Sequence, residues 1–286
     1  MRTVKKAKRM QSLAAGIKRD GRTIAFVPTM GALHEGHLSL VRRARKLGDI
    51  VAVSIYVNRT QFGPGEDLKK YPRTLERDKR LLRLLDVDYL FLPDDSEMYP
   101  SGYLTYVETE GITSVLEGKS RPTHFRGVTT VVAKLLNIVQ PDVAVFGQKD
   151  AQQAIVISRM VADLNIPVKV IVAPTVREKT GLALSSRNRY FSPEQIRRAS
   201  CIYHGLKRGR ELINSGVTDS KKVVSEILRI IDDAEGTTID YISINDANTL
   251  DHVRKITREV LISAAVELDG VRLIDNIKAK PGRTGC

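Results

Sequence analysis

His34 and His37, set apart by Glu35 and Gly36, are the side chains best suited to chemistry in this sequence. They follow an apolar run, Thr23-Ile24-Ala25-Phe26-Val27, and a turn, Pro28-Thr29-Met30-Gly31. They open a stretch in which Leu40, Val41, Ala44 and Leu47 recur at helical spacing. The pair therefore lies at a strand-to-helix junction. An α/β protein binds phosphate there, because free N–H groups and the positive end of the helix face outward. An imidazole can donate to a phosphate oxygen, and Gly36 leaves room for a nucleotide close to the backbone. A histidine pair alone is more often surface or core polar packing; the strand-turn-helix junction reverses that balance in favour of phosphate.

Three other segments carry candidate groups. Phe146-Gly147-Gln148-Lys149-Asp150-Ala151-Gln152-Gln153 also ends a strand and opens a helix. Gly147 permits close backbone approach, Lys149 can neutralise phosphate, and Asp150 can accept from ribose hydroxyls. Helix capping by Asp150 and a solvated Lys149 is the competing account. Arg177-Glu178-Lys179-Thr180-Gly181-Leu182-Ala183-Leu184-Ser185-Ser186-Arg187-Asn188 suits a clamp that closes over a triphosphate, or an ordinary interdomain linker. Asn58-Arg59-Thr60-Gln61-Phe62 offers two amides to a small polar substrate, or is a polar loop.

The elements that position these groups alternate through the first two-thirds of the chain. Strands are expected at 23–27, 50–57, 89–92, 143–146 and 168–172. Helices are expected at 37–46, 73–85, 125–140 and 151–164. The order predicts an α/β fold, a parallel sheet with helices on both faces, with ligands beyond the carboxyl ends of the strands. Near Pro174 the pattern changes to helices at 193–214 and 220–234, then strands at 238–244, 261–268 and 271–274, the last two joined by an Asp269-Gly270 hairpin turn. We expect a Rossmann-like nucleotide-binding domain over 1–175. A smaller α+β lid domain is expected over 176–286, with a disordered tail from Lys278. The basic residues 1–9 read as a helix start rather than a signal peptide.

Together the segments PTMGALHEGHLSLV, SIYVNRTQF, EDLKKYPRT, RPTHFRGVTTVVAKLLNIVQPDVAVFGQKDAQQ and REKTGLALSSRN resemble the pantothenate synthetase family, the pantoate–β-alanine ligases, from about Thr23 to Asp275 and in family order. The HxGH signature alone would place the chain only among nucleotidyltransferase-type proteins. The resemblance implies that ATP and pantoate form pantoyl adenylate and pyrophosphate, and that β-alanine then displaces AMP. It implies ATP contacts at Met30, Gly31, Ala32, Leu33, His34, Glu35, Gly36 and His37. Further contacts fall at Gly147, Gln148, Lys149 and Asp150, at Val176, and at Leu184, Ser185, Ser186 and Arg187. Catalytic roles fall to His37, His34, Lys149 and Arg187. Gln61 and Gln153 would hold pantoate, with Gln61 also near β-alanine. Arg121, Tyr71 and Asp78 would lie near substrates or metal, Asp78 as a Mg²⁺ ligand. The family works with Mg²⁺ and as a cytoplasmic homodimer. Two departures stand out: Arg59 replaces a proline, and Lys179-Thr180 replaces an aspartate before Gly181.

Composition narrows the alternatives. The 286 residues are 42% hydrophobic and 28% charged, as in ordinary globular proteins, and no apolar run approaches the roughly 20 residues that span a bilayer. The two cysteines give no metal spacing or disulfide framework, so a reducing cytoplasm is expected. The net charge of +13 fits polyanionic partners, but the basic residues are scattered and aromatics are only 5%. A basic RNA-binding protein would explain the charge but not three phosphate-type segments. A dinucleotide-forming nucleotidyltransferase would leave Gln61 and Gln153 unexplained. We expect small-molecule partners and neither nucleic acid nor membrane.

Overall fold

Six apolar runs become one parallel sheet. They are Arg2–Val4 (β1), Ile24–Thr29 (β2), Ile50–Ile55 (β3), Tyr89–Phe91 (β4), Val143–Gly147 (β5) and Lys169–Ala173 (β6), in the order β1-β4-β3-β2-β5-β6. Ala25 sits in register with Val51 on one side and Val143 on the other. The computed structural model describes residues 1–282 except Asp67 and Lys69. These fall into two units, 1–148 with 153–174, and 149–152 with 175 onward.

Alternation along the strands gives the first unit two cores. Ile24, Phe26, Ala52, Phe91 and Phe146 pack with α1 (Ala7–Arg19), α6 (His124–Val139) and α7 (Ala151–Asp163), through Met10, Val132, Leu135 and Ile157 among others. Ala25, Val27, Val51, Val53 and Val145 face the other way, against Leu40, Val41 and Ala44 of α2 (Glu35–Arg45) and Leu82 of α3 (Leu75–Leu84). Helices thus cover both faces, as the alternating pattern implied. Two single-turn helices, α4 (Asp95–Met98) and α5 (Glu117–Ser120), lie in the connections.

The second unit is an antiparallel sheet of β7 (Thr237–Asp246), β8 (Val260–Leu268) and β9 (Val271–Ala279). Helices α8 (Pro193–Ala199), α9 (Cys201–Asn214) and α10 (Ser220–Asp232) share its core, where Leu206, Ile227 and Ile262 are fully buried. Asp269 and Gly270, with φ of +48° and +80°, make the β8–β9 turn.

Three expectations need correction. Arg2–Val4 is an edge strand paired with β4, not part of a helix; Val4 alone of its residues is buried. The helix expected over 193–214 divides at Ser200, whose hydroxyl donates to Arg197 O at 2.6 Å while its N–H donates to the same carbonyl at 3.2 Å. Lys278 and Ala279 belong to β9 rather than to a loose tail; residues 283–286 lie outside the described residues.

Candidate active site

Strand order reverses at the centre of the sheet. From β2 the chain goes to β3 on one side, and later places β5 on the other. The crevice beyond the carboxyl ends of β2 and β5 is therefore the switch point at which such sheets take ligands. The His34–His37 junction directly follows β2, and Gln148 directly follows β5. Helix α2 packs on β5 as well, and a Cβ built on Gly147 would come 4.0 Å from Leu40 Cδ1.

Local chemistry shapes the junction. Gly31 takes φ of +83° and Ala32 +50°, which turns the chain sharply off β2. Ala32 N–H and Leu33 N–H each donate at 2.9 Å to the Asp78 carboxylate, which also accepts from Thr74 Oγ1 at 3.0 Å. Arg77 Nη1 donates to Leu33 O at 2.8 Å. His34 caps α2, and its N–H donates to His37 Nδ1 at 3.4 Å; the two rings lie 4.1 Å apart. Since Nδ1 accepts, the neutral His37 ring carries its proton on Nε2. Glu35 pairs with Arg42 in a fork, and the Arg42 hydrogen bond holds its carboxyl below the usual range.

Asp78 does not fit the metal role expected of it. It is 1% exposed, and both oxygens are occupied by donors of the chain. It is the buried acceptor that pins the Gly31–Leu33 turn. Among the described residues no group of three or more His, Cys, Asp or Glu could hold a metal ion.

Gln61 sits in the 3₁₀ turn Arg59–Gln61 behind β3 and is 8% exposed. Asn58 Nδ2 donates to Gln61 Oε1 at 3.0 Å and to Gly127 O at 3.1 Å, while Asn58 Oδ1 accepts from Thr60 Oγ1 and Tyr99 OH, both at 2.9 Å. Asn58 is thus a brace for Gln61 rather than a substrate ligand. Gln61 Nε2 contacts Met30 Sδ at 3.3 Å, which joins this turn to the β2 junction. Gln61 O accepts from His124 Nδ1 at 2.9 Å and Arg121 Nη2 at 3.2 Å. A carbonyl only accepts, so His124 carries hydrogen on Nδ1. Its Nε2 then accepts from Arg121 Nη1 at 3.3 Å. Burial, reinforced by the Arg121 charge, lowers the His124 pKa below its usual value. Arg121 in turn grips Glu66 with two bonds, 2.7 and 2.6 Å; burial opposes ionisation of Glu66, yet the guanidinium holds its carboxyl below the usual range. Tyr71 packs edge-on against Phe62. Gln153 lies in the first turn of α7.

The remaining expected residues belong to the second unit. Lys149 and Asp150 form a 3₁₀ turn with Gln148, their side chains 3.4 Å apart. Leu184 N–H donates to Val176 O at 3.0 Å, and Arg177 bridges Ala183, so Val176 and Leu184 face each other across a hairpin base. Ser185 caps the 3₁₀ helix Ser186–Tyr190 by accepting from Arg187 N–H at 3.2 Å. Val176 and Leu184–Arg187 therefore come together. Gly127, Tyr99, Asp275 and Asn276 also bear on these segments and carry no local signal; only their distant partners reveal them.

Fold and junction together define a doubly wound α/β protein with a histidine-bearing strand-to-helix corner at its switch point, and a separate α+β unit. A family model described as pantoate-beta-alanine ligase matches residues 2–278. A pantothenate synthetase of Moorella thermoacetica is 54% identical over 94% of this chain and 95% of its own, and one of Thermotoga petrophila 49% over 96% and 99%. The crystal structure of pantothenate synthetase from Thermus thermophilus superposes with a TM-score of 0.92 at 44% identity, covering 98% of this chain and 100% of that one. The Francisella tularensis pantoate-beta-alanine ligase, complexed with beta-gamma ATP and beta-alanine, gives 0.78 at 38%, covering 97% of each. The chain belongs to the pantoate–β-alanine ligase family and is an enzyme that joins pantoate to β-alanine.

Proposed function

We propose that the enzyme uses ATP to make pantothenate through a pantoyl adenylate. The observation that carries this reading is the seating of the His34–His37 junction at the reversal of strand order. A pantoate carboxylate oxygen attacks the α-phosphorus of ATP, and the bond to the β-phosphate oxygen breaks, releasing pyrophosphate. The amine of β-alanine then attacks the acyl carbon, loses a proton, and AMP departs with the bridging oxygen. The first step brings one anion onto another, so catalysis is positioning plus electrostatic stabilisation of charge moving onto oxygen.

The amides of Ala32 and Leu33 are committed to Asp78. Donation to phosphate therefore falls to the first turn of α2 and to His37 Nε2–H, with His34 beside it. Lys149 and Arg187 supply positive charge, and the capped start of the 186–190 turn adds backbone donors. Met30–His37, Gly147–Asp150, Val176 and Leu184–Arg187 are the ATP segments. Gln61 and Gln153 hold pantoate, Gln61 locked in one orientation by Asn58. Magnesium accompanies the triphosphate, but Asp78 is not its ligand and no protein ligand is assigned. The enzyme works as a homodimer in the cytoplasm, in the route to coenzyme A. Among the described residues no helix is long and apolar enough to cross a membrane.

The test is AMP release that requires ATP, pantoate and β-alanine together. His37→Ala and Lys149→Ala should each lower adenylate formation by about 10²–10³, the usual effect of one lost donor at developing charge, with unchanged thermal unfolding. Wild-type rates of pyrophosphate release from either variant would refute the assigned roles. Replacement of ATP and pantoate by CTP or a nicotinamide nucleotide would point to a nucleotidyltransferase instead.

A further inference from the structure

Two neighbouring residues on β9 hold both of the second unit's proposed ATP segments. Asn276 Nδ2 donates to Lys149 O at 2.8 Å, across 127 positions of sequence. Asp275, 4% exposed, pairs through both oxygens with Arg177, at 2.5 and 3.0 Å. Arg177 Nη1 also donates to Gly181 O at 3.1 Å, and its guanidinium lies 4.0 Å over the Tyr203 ring. The hairpin is closed by Glu178 N–H to Leu182 O at 2.8 Å and Leu184 N–H to Val176 O at 3.0 Å. Arg177 thus ties one strand of the hairpin to its turn, and Asp275 ties Arg177 to β9. Leu184–Arg187 begins where that hairpin ends. A strand paired along its whole length with β8 is a rigid support, and groups meant to meet a polyphosphate must be held closely.

We propose that Asp275-Asn276 is the shared anchor that positions Lys149 and the Leu184–Arg187 segment for ATP, with Asn276 a positioning residue acting through Lys149. The inference rests on reading both segments as ATP-binding. Asn276 fixes the Lys149 backbone and so aims its ammonium. Asp275 fixes the hairpin base and so fixes where the Ser185 cap begins.

A double-mutant cycle tests the Asn276 arm. Asn276→Ala should lower kcat/KM for ATP about tenfold, the effect of one hydrogen bond, while KM for β-alanine stays at the wild-type value. In a Lys149→Ala background the same substitution should cost less than about twofold, because the group it aims has gone. General damage to the unit would instead multiply the two losses, and would overturn the proposal. For the Asp275 arm, Asp275→Asn keeps the shape and removes the charge facing Arg177. Trypsin should then cut after Lys179 and Arg187 several-fold faster than in wild type; an unchanged cleavage rate would overturn this arm. If the Asp275 variant fails to fold, Asn276→Ala still decides the proposal. Wild-type enzyme that releases no AMP would overturn the functional reading. Wild-type enzyme that does, with Asn276→Ala indistinguishable from it, overturns the anchoring alone.

Discussion

Gly127→Ala sets a helix preference against a collision, and the collision should win. Gly127 lies inside α6, where alanine is the better helix former by about 0.5–1 kcal/mol. A Cβ at this position would fall 2.4 Å from Thr60 O, 2.5 Å from Thr60 C and 2.6 Å from Gln61 N. All three are backbone atoms, so no side chain can swing aside. Helix and turn must part by about 1 Å to reach ordinary contact. Overpacking of this kind costs up to about 3 kcal/mol, which leaves a net loss of about 2 kcal/mol after the helix gain. In a unit of this size the melting temperature should fall by about 4–8 °C. The separation also pulls Gly127 O from Asn58 Nδ2, and Asn58 is what orients Gln61. A misplacement near 1 Å typically costs about 10² in rate, so kcat/KM for pantoate should fall by about that factor. Gly16→Ala, in α1 with nothing within 4 Å of the added Cβ, is the matched control and should stabilise by about 0.5–1 kcal/mol. Differential scanning calorimetry and steady-state kinetics on both variants decide the matter. A Gly127→Ala enzyme with wild-type pantoate kinetics would refute the claim that close backbone approach sets the Gln61 position.

Other substitutions probe the same architecture. Asp78→Asn replaces an acceptor oxygen by an N–H₂ against a backbone donor. It should cost about 2–4 kcal/mol and reduce activity at every magnesium concentration; rescue by excess magnesium would restore Asp78 as a metal ligand. The pKa of His124 is lowered in the folded state from an ordinary 6.5, so the unfolded chain takes up the proton first as pH falls. Stability is therefore fully present above about 6.5 and declines below it, and urea unfolding at descending pH should show a shallower decline for His124→Asn; parallel curves would remove His124 as the cause. Arg59 opens its 3₁₀ turn after an Asn58 at φ −78° and ψ 105°, a conformation that suits a following proline. Arg59→Pro should raise stability by about 0.4–1 kcal/mol with kcat unchanged, and a lower melting temperature would contradict this.

What could be read from the sequence followed the range of the interactions. Ile24–Val27 and Ile50–Ile55 declare themselves because a strand covered on both faces is apolar throughout. The His34–His37 junction was visible because strand, turn and helix are contiguous. β1 escaped notice because one buried valine between basic residues gives no period to follow. Asp78 was misjudged because a carboxylate that pins a turn 45 residues away looks, in sequence, like one that binds a cation. Arg177 and Asp275 lie 98 positions apart, and nothing local marks either as the other's partner. Residue type suggests chemistry; only the fold tells whether a polar group is already satisfied.

The threading of the chain has a practical consequence. Lys149–Gln152 sorts with the second unit, although 148 and 153 on either side sort with the first. Passage from one unit to the other therefore happens three times, not once. No single cleavage can divide the polypeptide into two complete pieces: a fragment ending at 174 would carry a lysine whose carbonyl has lost Asn276, and its complement would lack the stretch that Asn276 was built to hold. Circular permutation or separate expression of halves must begin from that stitch.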